Sequence, residues 1–351
     1  MKKLFLILGL VFWGTIFSQQ AVLPQQPDEL HGLVKWLSFK EAFDLNKKQP
    51  KPFLVDFYTD WCGWCKVMMK TTYSTPDIAN YINQWFYPVK FNAETKDSVE
   101  YLGKWYYNKG QGKSTHELAI KLLGGKLSYP STLFLNNNFQ FSLSSAGYLK
   151  VKDIEPILIY TLENIFRSTA YEEFGSYFSK TFYDTTKPKE VVKWHSMKET
   201  LALQKKKPKK LLVSVYTNWC NGCRVMNKTS FDDSINAEYI NNNFYLVDFN
   251  AEIKDTIQFK ETTYINNGAN GTPFHPLVMA LMNNNFALPT LVVLDEELRS
   301  LDVMSYYLSP IALEPALRFY GNNSYKTLKW SDFIKTYKEK KSEKKTPNVQ
   351  K

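Results

Sequence analysis

Short apolar runs rich in β-branched and aromatic residues recur along the chain, separated by segments with helical periodicity. Continuous apolar runs of this length are typical of strands buried in a sheet. Six of them predict strands, at Phe53–Tyr58, Phe86–Asn92, Ser131–Leu135, Leu211–Tyr216, Phe244–Asn250 and Thr290–Leu294. Because these strands alternate with helical segments, the pattern predicts an α/β protein.

Helix signals lie between the apolar runs. Two capping boxes predict a helix at the start of each half of the chain, Ser38 with Glu41 and Ser196 with Glu199. Further helices are predicted to begin at Cys62 and Cys220, and to occupy about residues 151–166 and 310–319.

The chain repeats itself with a constant offset of 158 residues. Tyr58–Met68 (YTDWCGWCKVM) recurs as Tyr216–Met226 (YTNWCNGCRVM), and about half of the positions between Trp36 and Glu94 are identical to their partners. A period this long indicates two copies of one domain rather than a solenoid of small units. The predicted fold class is therefore α/β, with two tandem domains.

The repeat also predicts the domain boundaries. The two domains cover residues 35–166 and 191–337, with a linker at 167–190. A short N-terminal segment, 19–34, precedes them, and the basic tail at 338–351 is predicted to be disordered because it is rich in charge.

Residues 1–18 fit a secretory signal peptide. Lys2 and Lys3 give a positive start, an apolar run over 4–17 follows, and Ser18 is a small residue at the cleavage position. The alternative is an uncleaved membrane anchor, but 14 residues are fewer than the ~20 that a spanning helix needs. We therefore expect a bacterial protein that is periplasmic or secreted, without stable membrane insertion after cleavage.

Composition and charge change this picture little. The 351 residues are 44% hydrophobic and 22% charged, which is typical of a globular protein. The net charge is +10, but the tail contributes +4 and the two lysines at the start contribute +2. The remaining charge is too small over such a length to indicate nucleic-acid binding.

All four cysteines lie in two Cys-x-x-Cys pairs, Cys62 with Cys65 and Cys220 with Cys223. Residues three apart on a helix share a face, so each pair can close a disulfide. A helix N-terminus favours an anion, so the first cysteine of each pair is predicted to be the attacking thiolate. The second cysteine is then predicted to resolve the mixed disulfide.

Three other interpretations of the pairs stay open. A four-cysteine zinc site would have to draw its ligands from two separate repeats. Fixed structural disulfides would close very small loops and so remove little unfolded-state entropy. The third interpretation is that one domain, the second more readily than the first, is a degenerate copy without activity.

The run Val55–Lys66 (VDFYTDWCGWCK) resembles the strand–turn–helix signature of thioredoxin, and the chain is similar to exported bacterial thioredoxin-like proteins with a Trp-Cys-Gly-Trp-Cys motif. The resemblance covers most of each repeat. It implies a central mixed sheet flanked by helices in each domain, and thiol–disulfide exchange that needs no metal or organic cofactor. It also implies that Tyr129–Pro130 and Leu288–Pro289 form cis-proline loops that face the pairs and bind an extended substrate.

The same resemblance assigns a proton relay. Asp56 and Lys90 occupy the positions at which the thioredoxin pattern has a buried acid and a nearby lysine. Burial raises the pKa of such a carboxyl, so Asp56 is expected to exchange a proton with Cys65. The alternative for Asp56 is a polar residue on a strand edge. In the second domain Ser214 replaces the acid and Asp248 replaces the lysine, so we expect proton handling to differ between the domains.

Aromatic and histidine residues recur around the pairs. Trp61 and Trp219 precede them and are predicted to form an apolar floor for a peptide, while Trp64 is either a substrate platform or a shield for the thiols. His116 and His275 recur without a second histidine nearby, which favours a helix-start or packing role over a base or metal ligand.

These features predict an exported thiol–disulfide oxidoreductase that acts on protein thiols and disulfides. Electrons must pass to or from another redox protein, for which a membrane thiol carrier is a candidate. The net direction is open, because a dipeptide between cysteines does not fix a reduction potential. The alternatives are a non-catalytic peptide-binding chaperone or assembly factor, and a thiol carrier for haem or copper-site maturation.

Overall fold

The computed structural model describes residues 32–183, 192–268 and 271–343. The predicted signal peptide, the end of the predicted linker and the end of the tail lie outside these residues. The elements of the first repeat are α1 (Phe39–Lys48), β1 (Phe53–Tyr58), α2 (Gly63–Lys70), α3 (Pro76–Trp85), β2 (Tyr87–Asn92), β3 (Val99–Tyr101), β4 (Lys104–Tyr106), α4 (Glu117–Leu122), β5 (Ser131–Leu135), β6 (Ser142–Ala146), α5 (Val151–Leu162) and α6 (Tyr171–Phe182).

The second repeat follows the same order of elements, preceded by one additional short strand. They are β7 (Trp194–His195), α7 (Met197–Lys206), β8 (Lys210–Tyr216), α8 (Asn221–Met226), α9 (Ser234–Asn243), β9 (Phe244–Asn250), β10 (Thr256–Phe259), β11 (Thr262–Ile265), α10 (Pro276–Leu281), β12 (Thr290–Leu294), β13 (Ser300–Met304), α11 (Pro310–Gly321) and α12 (Trp330–Glu343). A π-helical turn, Asn227–Phe231, continues α8.

Each repeat has a mixed sheet with equivalent strand order. The first sheet runs β2-β1-β5-β6 and the second runs β13-β12-β8-β9-β7. The central strands β1 and β8 pair in parallel with β2 and β9, and antiparallel with β5 and β12. In the second repeat β7 pairs with β9 through His195 and Val247. The equivalent residues of the first repeat, Leu37 and Val89, form only a single β-bridge. The prediction of two tandem α/β domains is confirmed.

Helices cover both faces of the first sheet. On one face, Val55 of β1 packs in a buried cluster with Phe39 of α1 and Leu118 of α4. On the other face, Leu54 packs with Met68 of α2. Since α2 follows β1 directly, burial of its inner face fixes the Cys-x-x-Cys turn at the end of the central strand.

The segment predicted as a linker contains α6, and this helix packs on the second repeat. Phe174 and Phe178 are buried in the same apolar cluster as Tyr307 and Leu317 of the second repeat. The Phe174 and Tyr307 rings lie 5.5 Å apart, and the hydroxyl of Ser168 donates a hydrogen bond of 2.6 Å to the Tyr307 carbonyl. The two repeats therefore share an apolar core. At the other end, α12 extends to Glu343, into the segment predicted as a disordered tail.

The recurrent histidines begin short helices. His116 and His275 are the N-caps of α4 and α10, and Nδ1 of each accepts the backbone N–H two residues later, at 3.1 and 3.2 Å. Burial lowers the pKa of both imidazoles. The predicted helix-start role is confirmed.

Along the described ranges, no helix combines the length and the apolarity needed to cross a bilayer.

Candidate functional site

Both cysteine pairs form disulfides at helix N-termini. Cys62 and Cys220 are the N-caps of α2 and α8, and the sulfur of each accepts the backbone N–H of the second cysteine at 3.1 Å. The same N–H groups are placed to stabilise a thiolate on the first cysteine after reduction. Cys65 and Cys223 lie one turn inside, and all four residues are at most 4% exposed. Among the described residues, no cluster of three or more His, Cys, Asp or Glu side chains is arranged to hold a metal ion.

Three exposed tryptophans surround the buried disulfides. Trp61, Trp64 and Trp219 are 56%, 62% and 49% exposed, far more than a core tryptophan would be. The indole N–H of Trp61 donates to Glu94 at 3.1 Å, and that of Trp219 donates to Glu252 at 3.2 Å. Both indoles are therefore anchored at their polar edge, and about half of each residue stays exposed.

The predicted proline loops directly precede β5 and β12, the antiparallel neighbours of the central strands β1 and β8. The Tyr129–Pro130 and Leu288–Pro289 peptide bonds are both cis, as expected from the resemblance. The Tyr129 ring meets the Trp61 ring edge-on at 6.3 Å, which places the first proline loop next to the tryptophan that precedes Cys62. The ring of Trp64 lies 5.7 Å from that of Tyr148.

Asp56 is fully buried in the middle of β1, so it is not a residue of a strand edge. The Tyr73 hydroxyl donates to its Oδ1 at 3.4 Å, and within the described ranges no group hydrogen-bonds to its Oδ2. Burial raises the pKa of Asp56 to about 7, although the positive charge of Lys90 opposes this. Lys90 is its register partner on β2. A cavity of about 120 Å³ is lined by both Cys65 and Lys90.

The second site is built differently at the equivalent positions. Ser214 is buried and donates to Asn227 Oδ1 at 3.3 Å, and its register partner Asp248 is exposed and accepts from the Tyr216 hydroxyl at 3.2 Å. Asp248 lines a cavity of about 380 Å³ together with Cys220. Although Asp248 is exposed as a residue, desolvation of its carboxyl in the cavity wall raises its pKa. Asp248, the carboxylate predicted for the second unit, thus lies in the wall of a cavity, whereas Asp56 of the first unit is buried in its strand.

Sequence reasoning missed several residues of the two sites. Glu94 and Glu252 stand in the repeated FNAE motif, so the repeat was a signal that could have found them. The counterpart of Tyr73 in the second repeat is Phe231, so the repeat does not mark the Tyr73 hydroxyl as part of the site. Glu163 lies at the end of α5 in the first repeat, yet its carboxyl reaches Cys220 of the second. Only the packing of one repeat on the other reveals this contact.

Comparisons with known proteins identify a family for the chain. The Thioredox_DsbH family model, described as a protein of unknown function (DUF255), matches residues 23–157 and again 177–304. The thiol:disulfide interchange protein DsbD of Photorhabdus laumondii subsp. laumondii is 31% identical over 71 residues, which cover 20% of this chain and 12% of DsbD. This chain therefore corresponds to a small part of that relative.

Solved structures give weaker likenesses. A DsbH oxidoreductase is 17% identical with a TM-score of 0.25, over 37% of this chain and 83% of its own. A thioredoxin-fold protein from Helicobacter pylori is 12% identical with a TM-score of 0.30, over 43% of this chain and 93% of its own. The fold assignment rests instead on the sheet order and on the double family match. The chain belongs to the Thioredox_DsbH family and carries two thioredoxin-like units, each with one Cys-x-x-Cys disulfide.

Proposed function

We propose that this protein is an exported thiol–disulfide oxidoreductase that exchanges disulfides with protein substrates through both Cys-x-x-Cys pairs. The observation that carries the proposal is the position of Cys62 and Cys220 as helix N-caps, each with its sulfur on a backbone N–H at 3.1 Å. A group that stabilises a thiolate lowers the thiol pKa, and the thiolate is the nucleophile of exchange.

In the reducing direction, the thiolate of Cys62 attacks one sulfur of a substrate disulfide. The substrate S–S bond breaks, one substrate thiolate leaves, and a mixed disulfide forms. The thiolate of Cys65 then attacks Cys62 Sγ, which closes the protein disulfide and releases the second substrate thiolate. Two electrons pass from the protein to the substrate, and the reverse sequence oxidises a substrate dithiol. Cys220 and Cys223 carry out the same steps in the second unit.

In the first unit Asp56 accepts the proton of the Cys65 thiol and returns it when the direction of exchange reverses. Its raised pKa, about 7, keeps the carboxyl and the carboxylate in comparable amounts near neutral pH. The cavity beside Cys65 and Lys90 gives water room to carry the proton. Lys90 keeps the acid ionisable despite its burial, because its positive charge lowers the pKa of Asp56. In the second unit Asp248 is the candidate carboxylate for the proton of the resolving Cys223, which reaches it through water in the cavity that Asp248 and Cys220 line.

The substrate is a protein segment with an exposed disulfide or thiol. Trp61, Trp64 and Tyr129 offer an apolar surface next to the first disulfide, and the proline loop offers backbone beside it. Trp219, Leu288 and Pro289 form the smaller counterpart in the second unit.

Export and a redox partner protein complete the proposal. A leader of signal-peptide character supports export to an oxidising compartment, and a relative called a thiol:disulfide interchange protein supports exchange of disulfides. Turnover then needs a second protein that returns or removes electrons, and a membrane thiol carrier fits this need.

The test is the reduction of insulin by dithiothreitol, with the parent and with the variants Cys62→Ser, Cys220→Ser and the double variant. We expect each single variant to retain part of the activity and the double variant to fall to the uncatalysed rate. Acceleration that survives in the double variant would overturn the proposal in favour of a peptide-binding chaperone or assembly factor.

A further inference from the structure

One contact that the proposed function does not use joins the two repeats at the second disulfide. Glu163 is the C-cap of α5 in the first repeat, and its Oε2 lies 4.0 Å from Cys220 Sγ. A disulfide sulfur carries no proton, so this contact becomes a hydrogen bond when Cys220 is reduced or when a protonated carboxyl donates to the sulfur.

The second site is shaped to admit this side chain. A Cβ atom at Gly222 would lie 3.1 Å from Glu163 Cγ and 3.2 Å from its Cβ, so a larger residue would crowd the acid. In the first pair the equivalent residue is Trp64, whose side chain is exposed. The residue equivalent to Glu163 at the end of α11 is Asn322, which accepts from the Tyr239 hydroxyl at 2.6 Å. The acid and the glycine that accommodates it therefore belong together at the second disulfide.

Several titratable and charged groups share this corner, and Lys228, Asp232 and Asp248 line the cavity at Cys220. Tyr81 of α3 is largely buried, and the Glu163 carboxylate helps to raise its pKa. Arg224 of α8 donates to the Asn221 side chain at 2.9 Å, and Glu155 lies two turns back on α5. Burial raises the pKa of Glu163 to about 7, while hydrogen bonding with the backbone of Gly222 and Asn221 lowers it.

We propose that Glu163 is the acid–base group of Cys220, the attacking cysteine of the second pair, supplied by the first repeat where the second has Ser214 in place of an acid. This inference rests on the proposed exchange function of Cys220. It also gives the shared core of the two repeats a functional reason, since the core holds α5 and α6 against the second unit.

The proton balance of one exchange follows from this placement. The Glu163 carboxylate takes the proton of the Cys220 thiol, and the thiolate attacks a substrate disulfide. The substrate S–S bond breaks, a mixed disulfide forms, and the Glu163 carboxyl returns its proton to the departing substrate thiolate. Cys223 loses its proton to water and attacks Cys220 Sγ. This attack releases the second substrate thiolate, which takes a proton from water.

The same geometry couples the two titrations. An ionised carboxylate beside Cys220 disfavours a second negative charge on its sulfur. The pair therefore loses its two protons in separate steps that belong to the pair rather than to either residue. Removing the carboxylate should leave one step at lower pH.

The experiment measures the rate at which iodoacetamide alkylates Cys220 as a function of pH. It uses the reduced full-length protein in a Cys62→Ser/Cys65→Ser background, with alkylation located by mass spectrometry. Glu163→Gln should convert a two-step profile into one step and lower its midpoint by about one to three pH units, the range expected for a charge at 4 Å. Superimposable profiles for Glu163→Gln and its parent would overturn the proposal.

Two controls separate this effect from a general change in charge or fold. Glu155→Gln removes the same charge from the same helix and should leave the Cys220 profile unchanged. Glu163→Gln in a Cys220→Ser/Cys223→Ser background should leave the Cys62 profile unchanged. Equal shifts in both controls would overturn the proposal.

A second measurement needs no substitution at Glu163. The infrared difference between oxidised and reduced protein, in the Cys62→Ser/Cys65→Ser background, should contain a carboxyl band near neutral pH, because reduction changes the protonation of Glu163. A difference spectrum without a carboxyl band overturns the proposal. Neither readout requires turnover, so failure of the proposed function, in which no substrate is reduced, is distinguishable from failure of this inference.

Discussion

The Tyr73 hydroxyl donates a 3.4 Å hydrogen bond to Asp56 Oδ1, and both partners are fully buried beneath the first disulfide-bearing helix. In the second repeat these positions are Phe231 and Ser214, so the acid and its hydrogen-bond donor are lost together. The two units share a fold but differ in how they hold a proton.

Asp56→Asn should stabilise the protein at high pH. The pKa of Asp56 is about 7 in the fold and near 4 in an unfolded chain, so the native state binds the extra proton between these values. Stability contributed by the protonated acid is complete below pH 4 and is lost as the pH rises to 7.

We therefore expect the variant to exceed the parent by about 2–4 kcal/mol above pH 7, with the difference closing by pH 4. Urea denaturation of the oxidised proteins at pH 4, 6 and 8 measures this. Asp60→Asn, which removes an exposed acid nearby, is the matched control. A difference that does not change with pH would contradict the assignment.

The same Asp56→Asn substitution should slow exchange at the first pair. Loss of a positioned acid–base group typically costs on the order of 10²-fold or more, and the step affected is the attack by Cys65. In a Cys220→Ser/Cys223→Ser background, we expect insulin reduction to fall and its inflection near pH 7 to disappear. A parallel fall at every pH, with the inflection kept, would mean that Asp56 is only structural.

Cys62 should exchange faster than Cys220 near neutral pH. The Glu163 carboxylate lies beside Cys220 and disfavours a negative charge on its sulfur. The acid of the first unit, Asp56, is instead buried in β1, and we expect it to act on Cys65 rather than on Cys62. Stopped-flow reaction of the two single-pair proteins with an aromatic disulfide at pH 7 should give about a tenfold or greater difference, as expected for one unit of thiol pKa. Equal rates would show that the two environments have the same effect.

Trp64→Ala should weaken substrate binding at the first pair more than it slows chemistry. The indole is 62% exposed and its ring lies beside Tyr148, so it offers stacking area to a peptide without supporting the core. We expect the KM for a disulfide peptide to rise roughly fivefold with little change in kcat, as for loss of about 1 kcal/mol of aromatic contact. Trp105→Ala, at an exposed tryptophan in β4, should leave KM unchanged. If both variants behave alike, Trp64 is not part of the binding surface.

His116→Ala should lower stability and leave exchange intact. The imidazole is buried and caps α4, so its loss should cost about 1–3 kcal/mol at pH 7. Its pKa is lowered in the fold, so its contribution is present above the unfolded pKa and declines as the pH falls below about 6.5. Denaturation at pH 5.5 and 7.5 should show the smaller loss at pH 5.5. Loss of insulin reduction at unchanged stability would contradict the capping role.

The sequence predicted the central strands well because almost all of their residues are buried. β1, β5, β9 and β12 begin and end where their continuous apolar runs do. β6 (SLSSA) was not predicted because it is a partly exposed edge strand rich in small polar residues. The hairpin β3–β4 was not predicted because each of its strands has only three residues. Capping boxes and the cysteine positions located the first turns of α1, α2, α7 and α8.

The sites were predictable only as far as the repeat reached. Asp56 and the four cysteines stand in repeated or family motifs, so sequence comparison found them. The contact between Glu163 and Cys220 spans 57 positions and depends on α6 packing into the second core. No motif records such a contact, because it arises from how one repeat rests on the other.

The most direct test of the account is a redox titration of each cysteine pair in the full-length protein. Samples equilibrated in dithiothreitol and glutathione buffers are alkylated, and mass spectrometry resolves the peptides of the two pairs. We predict that both pairs titrate as two-electron couples, with distinct potentials between about −270 and −120 mV. Two disulfides that remain closed across this range would show them to be structural and would contradict the account.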